Sequence, residues 1–149
     1  MLTSGQAVAY ITAGQEYGCI IAPKHFAFND TEINRTGVAV FMTEQQAREN
    51  ELRGTQASIE DAGALGIMTA FNRVGCYTAN AHTGLLMNIL RKEWGFQGLE
   101  SQDFIQGANY AVLKEYALNG GTMTCNTGDS TMAAVSEKWP YWTVENVSK

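Results

Sequence analysis

Apolar residues in this chain fall into short runs separated by amphipathic stretches. A first helix is predicted from a Thr3 or Ser4 cap to about Tyr17, with Ala7, Val8 and Ile11 on one stripe and Gly18 as its stop. Cys19-Ile20-Ile21-Ala22 is an apolar run of strand length closed by Pro23. A polar loop, KHFAFNDTEINRTG, leads to Val38–Met42, a short extended piece. Thr43 with Gln46 fits a capping box opening a helix to about Ala62, with Gly63 and Gly66 at its end. Ile67–Phe71 is predicted as the second strand, followed by the loop NRVGCYTANAH and a helix over about Thr83–Trp94 that Gly95 ends. A third strand over about Leu99–Asp103, a helix over about Gln106–Leu118 and a fourth strand at Thr122–Cys125 complete the pattern.

This alternation of helices and short strands predicts an α/β protein with about four parallel strands and crossover helices. At 149 residues one domain, covering 1–149, is expected, with no internal repeat or linker. Ten basic against 15 acidic residues give a net charge of -5 and no basic stripe, which disfavours nucleic acid and anionic membrane surfaces as partners. No apolar run approaches the roughly 18 residues of a membrane span. The start, MLTSGQAVAY, lacks the basic and apolar regions of a signal peptide, so a cytoplasmic protein is expected. Cys19, Cys76 and Cys125 have no CxxC spacing and are expected to be reduced and mostly buried.

The polar chemistry gathers after the strands. Lys24, His25, Asn29, Asp30, Glu32 and Arg35 follow the first; Asn72 and Arg73 follow the second; Asp103 ends the third; Asn126 and Asp129 follow the fourth. In parallel α/β sheets the carboxyl ends of the strands form the ligand-binding face. A metal set from His25, His82, Cys76 and Asp103 lacks any ligand spacing, and no metal or organic cofactor is expected.

Three segments in order, KHFAFNDTEINR, GIMTAFNRVG and LLMNILRKEWGFQGLESQDF, resemble glycoside hydrolase family 3, the β-glucosidase family, and the resemblance covers nearly the whole chain. It implies half of a (β/α)₈ TIM barrel, strands five to eight, since a complete barrel takes about 250 residues. It also implies that the family's acid/base glutamate lies on a later domain. Carried over to this sequence, Asp103 matches the nucleophilic aspartate of a retaining mechanism. Lys24 and His25 match the pair that holds sugar hydroxyls, and Met68 and Phe71 match walls of the sugar pocket. Asn34 and Arg35 read as loop braces. The substrate implied is a β-glucoside or a related sugar.

The chain departs from the family pattern in its third strand, which usually reads apolar-apolar-Ser/Thr-Asp and here reads Glu100-Ser101-Gln102-Asp103. With Asp103 inward, Glu100 and Gln102 point outward under the helices, where an unpaired carboxylate is costly. Asn50, Glu51 and Thr55 are likewise polar at core-type helix positions. Glu100 and Glu51 are therefore expected to be exposed or ion-paired. A half-barrel would leave sheet edges open and an inner face including Ile21, Met68 and Ala70 uncovered, so completion as a homo-oligomer, a dimer, is expected. The leading expectation is a family 3-like, sugar-recognising protein with a retaining mechanism through Asp103 if active. The alternatives are a non-catalytic half-barrel assembly or binding protein, or a hydrolase such as a lactonase that reuses Asp103, His25 and Lys24.

Overall fold

The computed structural model describes residues 2–35, 37–103 and 113–124. Helix α1 (Leu2–Glu16) has one buried residue, Ile11, and packs against α3 (Arg53–Glu60). It ends where Gly18 donates to Gln15 O at 2.9 Å with φ +80°, a left-handed position that favours glycine. Gly14 matters for a different reason: a Cβ there would lie 2.9 Å from Ile21. Ile21 therefore folds back onto α1 and joins the helix-side core, contrary to the inward position expected of it.

The parallel ladder starts later than the apolar run suggests. Cys19 and Ile20 are exposed, and the backbone bonds begin at Pro23 O, which accepts from Met68 N at 3.1 Å. Phe26 donates to Met68 O and accepts from Ala70 N, each at 2.8 Å. Strand β2 (Gly66–Thr69) pairs in parallel with β5 (Leu99–Gln102), in the register Gly66 with Leu99 through Thr69 with Gln102. Single parallel bridges, Phe26 with Thr69 and Ser101 with Met123, flank this pair. Four parallel segments thus lie side by side in chain order, two as strands and two as single rungs, the first of them at Phe26 rather than at the predicted 19–22. Cys125, most of the predicted helix from Gln106, and the tail with Trp139 and Trp142 lie outside the described residues; α4 (Leu113–Leu118) is the described part of that helix.

A second sheet forms around the predicted extended piece Val38–Met42, although its pairing was not legible in the pattern. Strand β1 (Ala39–Val40) runs parallel to β3 (Arg73–Val74), which turns through Gly75 (φ +59°) into the antiparallel β4 (Tyr77–Thr78). These strands are two residues long, too short for alternation to register.

The predicted 43–62 helix is broken. Thr43 does cap it, its Oγ1 accepting from Gln46 N at 3.2 Å at the head of α2 (Glu44–Gln46). A π-helical turn, Ala47–Glu51, then precedes α3. Ala47, Leu52 and Ala57 are all buried although spaced five apart, a spacing that a 3.6-residue period would scatter around the helix. The five-residue bond from Leu52 N to Ala47 O brings the first two onto one face. The same device recurs over Gly84–Glu93, where Leu85 and Leu90 are buried and Trp94 N donates to Ile89 O.

The core lies between the parallel ladder and these helices, with Phe26, Ile67, Leu86, Leu90, Trp94 and Tyr116 at its centre. Trp94 packs on Phe26 with ring centroids 5.8 Å apart. Glu100 enters this core fully buried. Arg91 meets it, Nη2 to Oε2 at 3.4 Å, while also donating to the carbonyls of Phe96, Gly98 and Gly120. The Glu100 carboxyl is pushed up to about 7, by burial first, with Arg91 opposing. The outward direction and the ion pair were expected; the depth of burial was not. Of the cysteines, Cys19 and Cys76 are free and exposed rather than buried.

Candidate active site

Asp103 follows directly on β5. Its backbone N–H donates to Thr69 O at 3.3 Å, which fixes it at the carboxyl end of the ladder, and it is buried. His25 comes from the neighbouring rung, one residue before Phe26, and its Nε2 lies 3.1 Å from Asp103 Oδ2. The peptide bonds on either side of this pair of residues, Lys24–His25 and Phe26–Ala27, are cis. Arg35 reaches the same oxygen, Nη1 to Oδ2 at 3.3 Å. Its Nε meets Glu32 Oε2 at 3.3 Å, and its guanidinium lies 4.5 Å above the Phe71 ring.

The loop between His25 and Arg35 is held locally. Asn34 stands at φ +57°, and its carbonyl accepts from Gly37 N at 2.8 Å and Val38 N at 3.0 Å, the brace role expected of it. Asn72, buried after β2, donates from Nδ2 to Ala27 O at 3.0 Å. Asn29 donates from Nδ2 to Glu32 Oε1 at 3.2 Å, and the same nitrogen lies 3.5 Å from His25 Nδ1. Behind β5, Asn80 Nδ2 donates to Gln102 Oε1 at 2.9 Å.

His25 is held below its ordinary pKa, by burial first; Asp103 pulls it up while Lys24 and Arg35 push it down. A predominantly neutral imidazole against a buried carboxylate can donate a hydrogen bond without taking the carboxylate's charge away. Beside it opens a cavity of about 390 Å³ whose walls include Lys24, His25, Asn29, Asp30 and Glu51. Glu51 is raised by burial first and then by its hydrogen bond to Asp30. It lies partly exposed on the cavity wall rather than fully solvated.

His25 therefore stands at Asp103 itself, and Phe71 joins it through Arg35. Lys24 is exposed on the cavity beside His25, and Met68 is half-buried on β2 in register with Ser101. Reading Arg35 only as a brace was too little, since it binds the carboxylate directly. Among the described residues no cluster of three His, Cys, Asp or Glu side chains could hold a metal, and no helix is long and apolar enough to cross a membrane.

Residues 1–133 match the glycosyl hydrolase family 3 N terminal domain. The chain belongs to that family. It is 37% identical over 119 residues to the probable β-glucosidase K of Emericella nidulans, covering 80% of this chain and 14% of that protein. It is 36% identical over 104 residues to a β-glucosidase of Rhizobium radiobacter, covering 69% of this chain and 13% of that protein. The crystal structure of a Kluyveromyces marxianus β-glucosidase in complex with glucose superposes with a TM-score of 0.82 at 27% identity, covering 95% of this chain and 17% of that one. The family 3 chain thus has the α/β, TIM-barrel-like fold of that domain and spans a small part of the length of its relatives.

Proposed function

We propose that this family 3 chain carries the nucleophile side of a retaining β-glucosidase site. Asp103 attacks the anomeric carbon of a β-glucoside and forms a glycosyl-enzyme, which water then hydrolyses. The observation that carries this reading is the pair of donors, His25 at 3.1 Å and Arg35 at 3.3 Å, on a buried carboxylate at the end of a parallel strand. Two such donors hold the side chain in one orientation. Lys24, His25, Met68 and Phe71 form the sugar-facing group, Phe71 by seating Arg35. The acid/base is supplied from outside the described residues. Hydrolysis of a chromogenic β-glucoside tests this: turnover that Asp103→Asn abolishes supports the assignment, and turnover that survives the substitution refutes it.

The proposal includes a half-barrel completed by a second copy in a cytoplasmic setting. Supporting it, Leu2 and Tyr10 of α1 and the following Tyr17 and Ile20 are large apolar side chains left exposed. Exposed apolar area of this kind suits docking, and a two-fold pair would join the sheet edges into one core. Light scattering that gives twice 16.3 kDa supports the dimer, and a stable monomer refutes it.

A further inference from the structure

The loop after His25 contains a chain of hydrogen bonds whose polarity can be worked out from one end. Glu32 is the fixed end. A carboxylate accepts and does not donate, so the Asn29 amide must turn its nitrogen toward Oε1, where the contact is 3.2 Å. Turned over, the amide oxygen would face the carboxylate, acceptor against acceptor. The orientation is kept although it leaves Asn29 Oδ1 buried without a partner among the described residues. With the nitrogen so placed, its second hydrogen is available to His25 Nδ1, 3.5 Å away. A ring nitrogen that faces an N–H must present its lone pair, so the imidazole proton sits on Nε2. That N–H points at Asp103 Oδ2, 3.1 Å away. Arg35 closes the circuit by binding Glu32 on one side and Asp103 on the other.

We propose that Glu32 and Asn29 are positioning residues for the nucleophile. They fix His25 as the neutral Nε2–H tautomer, so that the ring donates to Asp103. With the proton on Nδ1, the Nε2 lone pair would face the carboxylate and push it away. With both nitrogens protonated, Nδ1–H would meet the Asn29 N–H. The lowered pKa of His25 agrees, with burial as its first cause and Lys24 and Arg35 acting in the same direction against Asp103 and Glu32. The inference rests on Asp103 as the nucleophile for its functional meaning, but the tautomer can be read without any turnover.

The test is a long-range proton–nitrogen correlation spectrum of the imidazoles in the ¹⁵N-labelled full chain at pH 7.5. Only two histidines contribute, and His82→Gln assigns them. His82 Nδ1 accepts from Leu85 N at 3.2 Å, so in the other spectra it is an internal reference that should remain Nε2–H. For His25 the expected pattern is a protonated Nε2 and a bare Nδ1. In Glu32→Gln the amide is free to turn, and the expected result is loss of that pattern at His25 with His82 unmoved. Asn29→Asp should draw the proton onto Nδ1 by placing an acceptor there, and it serves if Glu32→Gln does not fold. A His25 protonated on Nδ1 or on both nitrogens in the parent chain overturns the proposal. So does a parent pattern that persists in both variants. A chain with the expected tautomer whose β-glucoside turnover survives Asp103→Asn would refute the proposed function and leave this inference standing.

Discussion

Replacing Glu100 by Gln should make the protein more stable at alkaline pH and remove most of a specific pH dependence. Glu100 is fully buried, and its carboxyl is raised from the ordinary 4.5 to about 7. The folded state therefore holds a proton that the unfolded state has released between these two values. Stability contributed by this group is complete below 4.5 and is lost as pH rises through about 7. At 1.36 kcal/mol per pKa unit, the loss on going from pH 4 to pH 9 is about 3 kcal/mol. His25 and His82 work the other way. Burial lowers both, so unfolding takes up protons below 6.5, and their part of the stability is lost as pH falls through that region. Raw pH profiles mix the two effects, but the difference between parent and Glu100→Gln isolates the carboxyl. The assay is urea denaturation followed by tryptophan fluorescence at pH 5 to 9. The parent should lose about 3 kcal/mol more than the variant as pH rises, less any relaxation around Arg91. Parallel profiles for the two proteins would show that Arg91, at 3.4 Å, fully neutralises the desolvation of Glu100, and the reasoning would fail.

Other perturbations have definite outcomes. Leu86→Ala removes a side chain with no exposure from the centre of the core and should cost about 2–5 kcal/mol in the same urea assay. Gly98→Ala would drive a Cβ into the Leu65 carbonyl, which accepts from Leu99 N at 2.9 Å, so soluble yield or denaturation midpoint should fall sharply. Thr43→Ala removes the side-chain cap on Gln46 N and should cost about 1 kcal/mol, without changing the fluorescence of the native state. Arg35→Met takes one donor from Asp103 and removes the ion-pair partner of Glu32. It should sharply reduce any β-glucoside turnover while circular dichroism stays unchanged.

The order of helices and parallel segments was legible because it rests on apolar runs and glycine stops that act locally. Asp103, His25 and Phe71 were legible through the motif resemblance, and the first two do meet in the structure. What escaped was what local pattern does not encode. The first rung slid from 19–22 to 23–26 because Gly14 lets Ile21 turn onto α1. The long second helix broke because burying Ala47 and Leu52 on one face needs a π turn. Glu100 looked misplaced until Arg91, nine residues earlier, was seen to follow it into the core. Arg35 was read as a brace because its spacing from His25 carries no periodic signal; only the folded loop brings the two onto one oxygen.

Asp103 as the nucleophile is tested most directly by covalent trapping. The chain is incubated with a 2-fluoro β-glucoside bearing an activated leaving group, which forms the glycosyl-enzyme and hydrolyses slowly, and its intact mass and peptides are then measured. The expected result is one added fluoroglucosyl group located on Asp103, absent from Asp103→Asn. A label on another residue, or an unlabelled chain under these conditions, would contradict the assignment.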